Sequence, residues 1–440
     1  MYGVHETSHQ HASKYRTTVN FFRKNYVAGV VLGSGSSRAY LLVVELILMV
    51  VSASLLKPEE RGFYVAGIGL LKTMAVLSTF SLAQIGVHGI ASAGEADKKK
   101  RIGLEAGNLL SGGLFFYVVA LLMFFALGLL IPSFSEKYVY PFHNLIVVGL
   151  PIYLFEAYFY LLLTSTGQLN NANLSIVIGK TINWIPVLVS GYVIGNLTTT
   201  SLLVCTVFGQ SVILGGYLIS IRKTFRAAGI RIVVSLSSLF AAIRSAVRLY
   251  PTIIGSVVFS GLDTLFVYSY AGTADASTYQ IALQGIAALS VLPFAIAQYG
   301  YSVITAHGVK AGWLRYRKVL LLGLGAHIVA AAFSIFVATY AKQVFFGEKY
   351  PGLLEIYSIM AIGSPGIYMS LTMAPMWISR GFFVVSSSLS IATSLIIIPT
   401  TIFLLQHFGV RGAAFAFIVA QAISMVTNTL MIYFSDKNAK

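Results

Sequence analysis

Apolar residues in this chain cluster into runs of about twenty, separated by short polar stretches. Twelve runs can be drawn, near 33–55, 63–90, 106–131, 144–166, 173–195, 199–220, 250–271, 278–304, 318–340, 353–378, 383–405 and 412–434. About 20 residues at 1.5 Å each match roughly 30 Å of bilayer hydrocarbon. A membrane barrel would show short alternating segments instead, and lipid leaves the backbone no other way to satisfy its polar groups, so each run predicts a helix. Composition agrees: hydrophobic residues are 57%, charged residues 10%, and mean hydropathy is +0.81. A soluble domain carries about 25% charged residues, so this chain cannot clothe a globule in polar surface.

The chain also contains itself twice. Ala83-Gln84-Ile85-Gly86 recurs as Ala297-Gln298-Tyr299-Gly300, Tyr64 as Tyr279, Leu174-Ser175-Ile176 as Leu389-Ser390-Ile391, and Gly167 as Gly381, all at an offset of 214 or 215 residues. Each copy holds six runs. An even number gives both copies the same orientation, a parallel duplication about the membrane normal. The expected fold is an all-α polytopic membrane protein, with twelve transmembrane helices in two parallel six-helix bundles around a central cavity. The expected segments are a cytoplasmic tail over 1–27, a first bundle over 28–220, a linker over 221–249, a second bundle over 250–434 and a cytoplasmic tail over 435–440.

Charge sets the orientation. With both termini in the cytoplasm, 21 Lys and Arg fall on that side. Six face the other way: Lys57, Arg61, Lys137, Lys342, Lys349 and Arg411. This positive-inside bias, with anionic headgroups, accounts for the formal charge of +16 without a nucleic-acid partner. The polar first 27 residues lack the apolar stretch of a cleaved signal peptide, and their His5, His9 and His11 read as part of a tail. Linker 221–249 alternates Arg with apolar residues. It reads either as an amphipathic helix on the inner membrane surface or as a plain connector. The single cysteine, Cys205, reads as a small apolar packing residue.

Charges inside the runs cost about 2.5–3.5 kcal/mol each near mid-bilayer, so they face a cavity or a partner. Arg38, Lys72 and Lys180 are the cationic candidates for substrate binding; Glu45, Glu156 and Asp263 are the acidic candidates for ion coupling. The bland alternatives are snorkelling for Arg38, structural pairing such as Lys180 with Glu156, and a structural ion pair or hydrogen bond for Asp263. Gln84 and Gln298 hold matching places and join the substrate-binding candidates. Tyr64 and Tyr279, near the outer ends of their runs, read as members of an interfacial aromatic belt. No phosphate-binding glycine loop, metal-ligand spacing, cofactor motif or extramembrane catalytic domain is seen, so an enzyme is not expected.

Two stretches carry a family likeness. Gly261-Leu262-Asp263-Thr264-Leu265-Phe266-Val267 followed by Ala271-Gly272-Thr273-Ala274-Asp275-Ala276-Ser277-Thr278-Tyr279 resembles the seventh helix and following turn of polysaccharide-export flippases. Gly347-Glu348-Lys349-Tyr350, Ile378-Ser379-Arg380-Gly381 and Gly409-Val410-Arg411-Gly412-Ala413-Ala414 are similar to that family's last three helices. In layout the resemblance covers nearly the whole chain. It is to the O-antigen flippase (Wzx-like) branch of the multidrug/oligosaccharidyl-lipid/polysaccharide exporter (MOP) superfamily. It implies a bacterial inner membrane and a substrate of undecaprenyl-pyrophosphate-linked oligosaccharide, as in lipopolysaccharide synthesis. It also implies partners in polysaccharide polymerase and chain-length machinery. Protonation of Glu45, Glu156 or Asp263 is the route by which a proton or sodium gradient could couple the cycle. The rivals are a cation-coupled drug antiporter of the same fold, a membrane polymerase or ligase, and a non-transporting scaffold.

Overall fold

The computed structural model describes residues 40–94, 97–260, 262–379 and 383–437. Arg38, with the N-terminal tail, Gly261, Arg380 and Gly381, lies outside the described residues. The described chain is helical, with no strand among the described residues.

The first half comprises α1 (Tyr40–Leu55), α2 (Pro58–Ser78), α3 (Leu82–Ala91), α4 (Lys98–Leu130), α5 (Pro132–Ser165), α6 (Leu169–Val193) and α7 (Thr199–Ala228). A short helix, α8 (Leu236–Ala246), follows. The second half comprises α9 (Tyr250–Ser260), α10 (Leu262–Tyr270), α11 (Thr273–Ala288), α12 (Val291–Ala341), α13 (Leu353–Ser379), α14 (Phe383–Phe408) and α15 (Val410–Lys437). Among the described residues, seven helices are long and apolar enough to cross a membrane, or nine if each of two bent pairs is one span. Each of the twelve apolar runs overlaps a helix.

The helix ends follow local chemistry. Pro58 opens α2, where its missing N–H costs nothing, and Glu60 accepts the Lys57 N–H at 3.1 Å. Thr198 caps α7 by accepting from the Ser201 N–H at 3.1 Å. Between α5 and α6, Gly167 turns left-handed at φ 77°, and Gln168 N–H then reaches back to Leu163 O at 2.8 Å.

The two bent pairs occupy corresponding places in the halves. α2 and α3 meet at 47°, α11 and α12 at 42°. The first bend is made without glycine: Phe80 and Ser81 both take positive φ, at 46° and 58°.

The chain stays helical through α12, where the sequence reading places a loop between its eighth and ninth runs. Reversal still occurs inside that stretch. In one straight helix Gly300 and Tyr316 would stand about 24 Å apart. Instead a Cβ on Gly300 would meet the Tyr316 ring at 2.6 Å, and one on Gly312 would meet Ile304 Cα at 2.7 Å.

Each half has its own core. Leu154, Tyr158, Leu162 and Tyr217 centre the first; Tyr279, Ile356, Met360 and Phe417 centre the second. Helix α1 is shared between them. Its Met49 and Ala53 pack into the second half's core, while Val51, and Leu56 just past the helix end, pack against Val187 and Leu202 of α6 and α7. Cys205 packs at the edge of the latter cluster and is a free thiol.

Candidate functional site

A cavity of about 390 Å³ lies between the halves, walled by α1, α2, α5, α6, α7, α9, α10 and α11. One stripe of α2 supplies much of its lining. Arg61, Val65, Ile68 and Lys72 recur at helical spacing, so all four point the same way.

Three cations line this one space: Arg61, Lys72 and Lys180. One lining carboxylate answers them, Glu45 on α1. It stands 3.6 Å from Lys180 Nζ, and both side chains keep open surface, 51% for Glu45 and 21% for Lys180. Tyr40 and Thr181 hydrogen-bond one turn away, joining α1 to α6 beside that pair. Lys72 has no hydrogen-bond or ion-pair partner among the described residues, and its side chain reaches open space. The alternative pairing of Lys180 with Glu156 is therefore replaced by Lys180 with Glu45. The polar remainder of the lining includes Asn183, Thr206, Gln280 and Gln284.

Arg61 corrects the sequence reading most. Counted there as an outer-loop charge, it is 1% exposed and forms one end of the cavity. Its Nη1 donates to Ser277 O at 3.0 Å and to Ser277 Oγ at 3.1 Å; its Nη2 donates to Gln284 Oε1 at 3.2 Å and its Nε to Ser52 Oγ at 3.2 Å. A guanidinium presents five donors in a fixed fork, so it can hold two helices of opposite halves at once. Beside it, a Cβ on Gly62 would fall 1.7 Å from Thr273 O, so the α2 and α11 backbones touch here.

Other hydrogen bonds across the seam gather at the same end. Lys137 Nζ donates to Ser269 O at 2.6 Å, Tyr138 to Leu265 O at 3.1 Å, Lys349 Nζ to Ser54 O at 2.9 Å and Tyr350 to Ala53 O at 3.0 Å. Lys57, Arg61, Lys137 and Lys349, four of the six residues in the sparse charge set, sit at this end. At the other end the halves meet where the Phe80 ring lies 4.4 Å from that of Tyr250.

The remaining candidates fall outside the cavity lining. Glu156 accepts from the Tyr217 hydroxyl at 3.4 Å, and Asp263 from the Tyr279 hydroxyl at 3.3 Å. Each half thus holds one membrane-embedded carboxylate against a tyrosine. Gln84 and Gln298 are exposed, each beyond its half's bend. Tyr279 is fully buried and Tyr64 bonds Thr206 at 3.1 Å, so neither belongs to an interfacial belt. A larger cleft of about 690 Å³ at the ends of α6 and α7 is shallow and has Lys223 as its one charged residue.

The signals for the missed residues are periodic. Arg61 precedes Lys72 by eleven residues, three helical turns. Asn183 follows Lys180 by three, and Gln280 and Gln284 are four apart.

No family model matches the chain, and no curated protein matches it. Solved structures do. A multidrug resistance MATE family transporter of the MOP superfamily, in an inward-facing conformation, is 16% identical over 92% of this chain and 96% of its own, with a TM-score of 0.67. The lipid II flippase MurJ, in an inward closed conformation, is 14% identical over 92% and 87%, with a TM-score of 0.65. A MOP superfamily transporter from Pyrococcus furiosus, described by the reverse polarity of its binding pocket, is 15% identical over 94% and 96%, with a TM-score of 0.62. The fold is that of these multi-pass transporters and flippases, which are not enzymes. An outward-facing MATE transporter matches at 0.56.

Proposed function

We propose that the chain is a lipid-linked oligosaccharide flippase. It turns undecaprenyl-pyrophosphate-linked O-antigen or a related glycan from the cytoplasmic to the periplasmic leaflet of a bacterial inner membrane. In this reading twelve spans form two parallel bundles, both termini are cytoplasmic, and the halves rock about the cavity to give alternating access.

The observation that carries it is the charge of the cavity. Arg61, Lys72 and Lys180 face one space with Glu45 as the lining carboxylate, and Lys72 is unpaired among the described residues. A sugar pyrophosphate is large, polar and anionic, and ammonium and guanidinium groups are its natural ligands. The flippase among the fold's neighbours, MurJ, is named for a lipid substrate. The sparse-charge end, closed by Arg61, is then periplasmic and the state inward-facing. The higher TM-score to the inward-facing than to the outward-facing MATE structure supports this.

A second reading, a cation-coupled antiporter for drugs or small molecules, draws on the likeness to multidrug transporters and on the embedded carboxylates Glu156 and Asp263. The cationic lining disfavours it, since a cationic drug would meet net repulsion.

Deleting the gene separates the two. The flippase reading expects loss of surface polysaccharide and build-up of its lipid-linked precursor on the cytoplasmic face. Normal glycan display, in a strain with no second exporter, rejects it.

A further inference from the structure

Helix α8 has three distinct faces. Leu239, Ala242 and Ala246 recur at i, i+3 and i+7 and are buried against α3 and α4. Leu236 and Phe240, continued by Val247 just past the helix end, form a second stripe and are 68%, 66% and 54% exposed. Arg244, with Arg248 in the turn that follows the helix, forms a third stripe beside the second; both are exposed, and neither is in an ion pair among the described residues. The protein thus consumes one apolar face of α8 and leaves another bare, bordered by cations.

The depth of α8 follows from α4. That helix has 33 residues, so it is about 50 Å long and overshoots roughly 30 Å of hydrocarbon by about 20 Å. About 20 residues counted back from Leu130 put the hydrocarbon edge near 110. The linker docks there. Val233 N–H donates to Gly103 O at 3.0 Å, a Cβ on Gly107 would strike Val233 O at 2.0 Å, and one on Gly112 would meet Leu239 at 3.2 Å. Asn108 Nδ2 donates to Ser238 Oγ at 3.0 Å and to Glu105 Oε2 at 3.2 Å, fixing the start of α8 to a buried carboxylate. Arg222, Lys223 and Arg226, at the end of α7, open the linker a few residues before its docked stretch.

From this placement we infer that α8 docks on the bilayer surface at this end of the protein. Leu236, Phe240 and Val247 enter the acyl boundary, while Arg244 and Arg248 hold anionic phospholipid headgroups. A helix with an apolar stripe beside a basic one, at headgroup depth, gains from both burial and attraction to anionic lipid. The docked helix fixes the start of α9, whose Tyr250 meets Phe80 at the bend between α2 and α3. The assignment is independent of what the cavity carries.

The test uses the full chain in liposomes of phosphatidylcholine, with or without a quarter phosphatidylglycerol. A polarity-sensitive thiol probe is placed at Phe240→Cys in a Cys205→Ser background, with Ser237→Cys as the control position. The expected result at 240 is blue-shifted emission, quenched several-fold more by brominated acyl chains than by aqueous iodide. Ser237→Cys is expected to show the reverse. Native mass spectrometry of the unlabelled protein is expected to show retained phosphatidylglycerol, several-fold less in Arg244→Gln/Arg248→Gln. Iodide quenching at 240 that matches the control overturns the proposal. So does shielding at 240 that vanishes on dilution to monomers, which would make the face a contact between two copies. Equal phosphatidylglycerol retention by wild type and the double variant overturns the headgroup assignment.

Discussion

Arg61 and Ser277 meet across the seam between the halves, the guanidinium Nη1 donating to both the carbonyl and the hydroxyl of the serine, at 3.0 and 3.1 Å. The chain separates them by 216 residues, and the contact spans the end of the cavity that is shut in this structure. Hydrogen bonds from a buried charged group are worth about 1.5–3 kcal/mol each, and a cut partner leaves an unpaired polar group behind.

Arg61→Ala is therefore expected to favour the state open at this end by about 10- to 100-fold, about 1.4 kcal/mol being tenfold. The readout is labelling of Leu283→Cys, a cavity position, by an impermeant thiol reagent added outside cells, in a Cys205→Ser background. A labelling rate equal to that of the Arg61 parent would show that Arg61 does not hold the end shut.

Gly62→Val tests the same closure by volume instead of charge. The Thr273 carbonyl occupies the place of the new Cβ, and it is backbone, so the helices must part. Fast labelling at Leu283→Cys is expected, together with loss of export, since the outer end can no longer close. Full export by Gly62→Val would mean that α2 and α11 do not approach this closely during transport.

Lys72 tests the cationic cavity. Lys72→Ala is expected to lower glycan export at least tenfold at equal protein level, with Lys72→Arg retaining most of it. Lys180→Ala should lower export less, because Glu45 already draws part of that charge. Export at wild-type rate by the Lys72→Ala, Lys180→Ala double variant would remove the headgroup assignment.

The embedded carboxylates test coupling. Asp263→Asn keeps an acceptor for the Tyr279 hydroxyl while removing the charge. In proteoliposomes the variant is expected to lose the acceleration that an imposed proton or sodium gradient gives the parent, with folding unchanged by circular dichroism. Glu156→Gln is the companion. If both respond to the gradients as the parent does, coupling lies elsewhere.

Much of this was legible in the sequence. Twenty-residue apolar runs mark helices because lipid allows little else. The bends at Ser78–Leu82 and Ala288–Val291 were not read from the sequence, although each falls just before one copy of the Ala-Gln-x-Gly repeat. Lys72 and Lys180 were visible as charges too deep to ignore, and the structure puts them in one cavity. Arg61 was not visible as such. It lies three residues after Pro58, where a count of loop charges claims it, and only its tertiary partners Ser277 and Gln284 draw it inward. Tyr279 failed for a related reason. A tyrosine near a helix end suits a membrane interface, but Tyr279 is buried in the second half's core, with its hydroxyl on Asp263 one helix away. One-dimensional patterns report depth along a helix well and say little of which side faces a neighbour.

Helix α1 belongs to both cores, with Met49 and Ala53 seated in the second half and Val51 and Leu56 in the first. Neither half can rock as a rigid body without shearing α1 against one of those seats. Glu45 rides on this helix and Lys180 on α6, so their 3.6 Å contact is stretched or remade in each swing. In the proposed transport cycle the free charge on Lys180 would then vary with position, gearing the cavity's grip on an anionic headgroup to the motion that releases it.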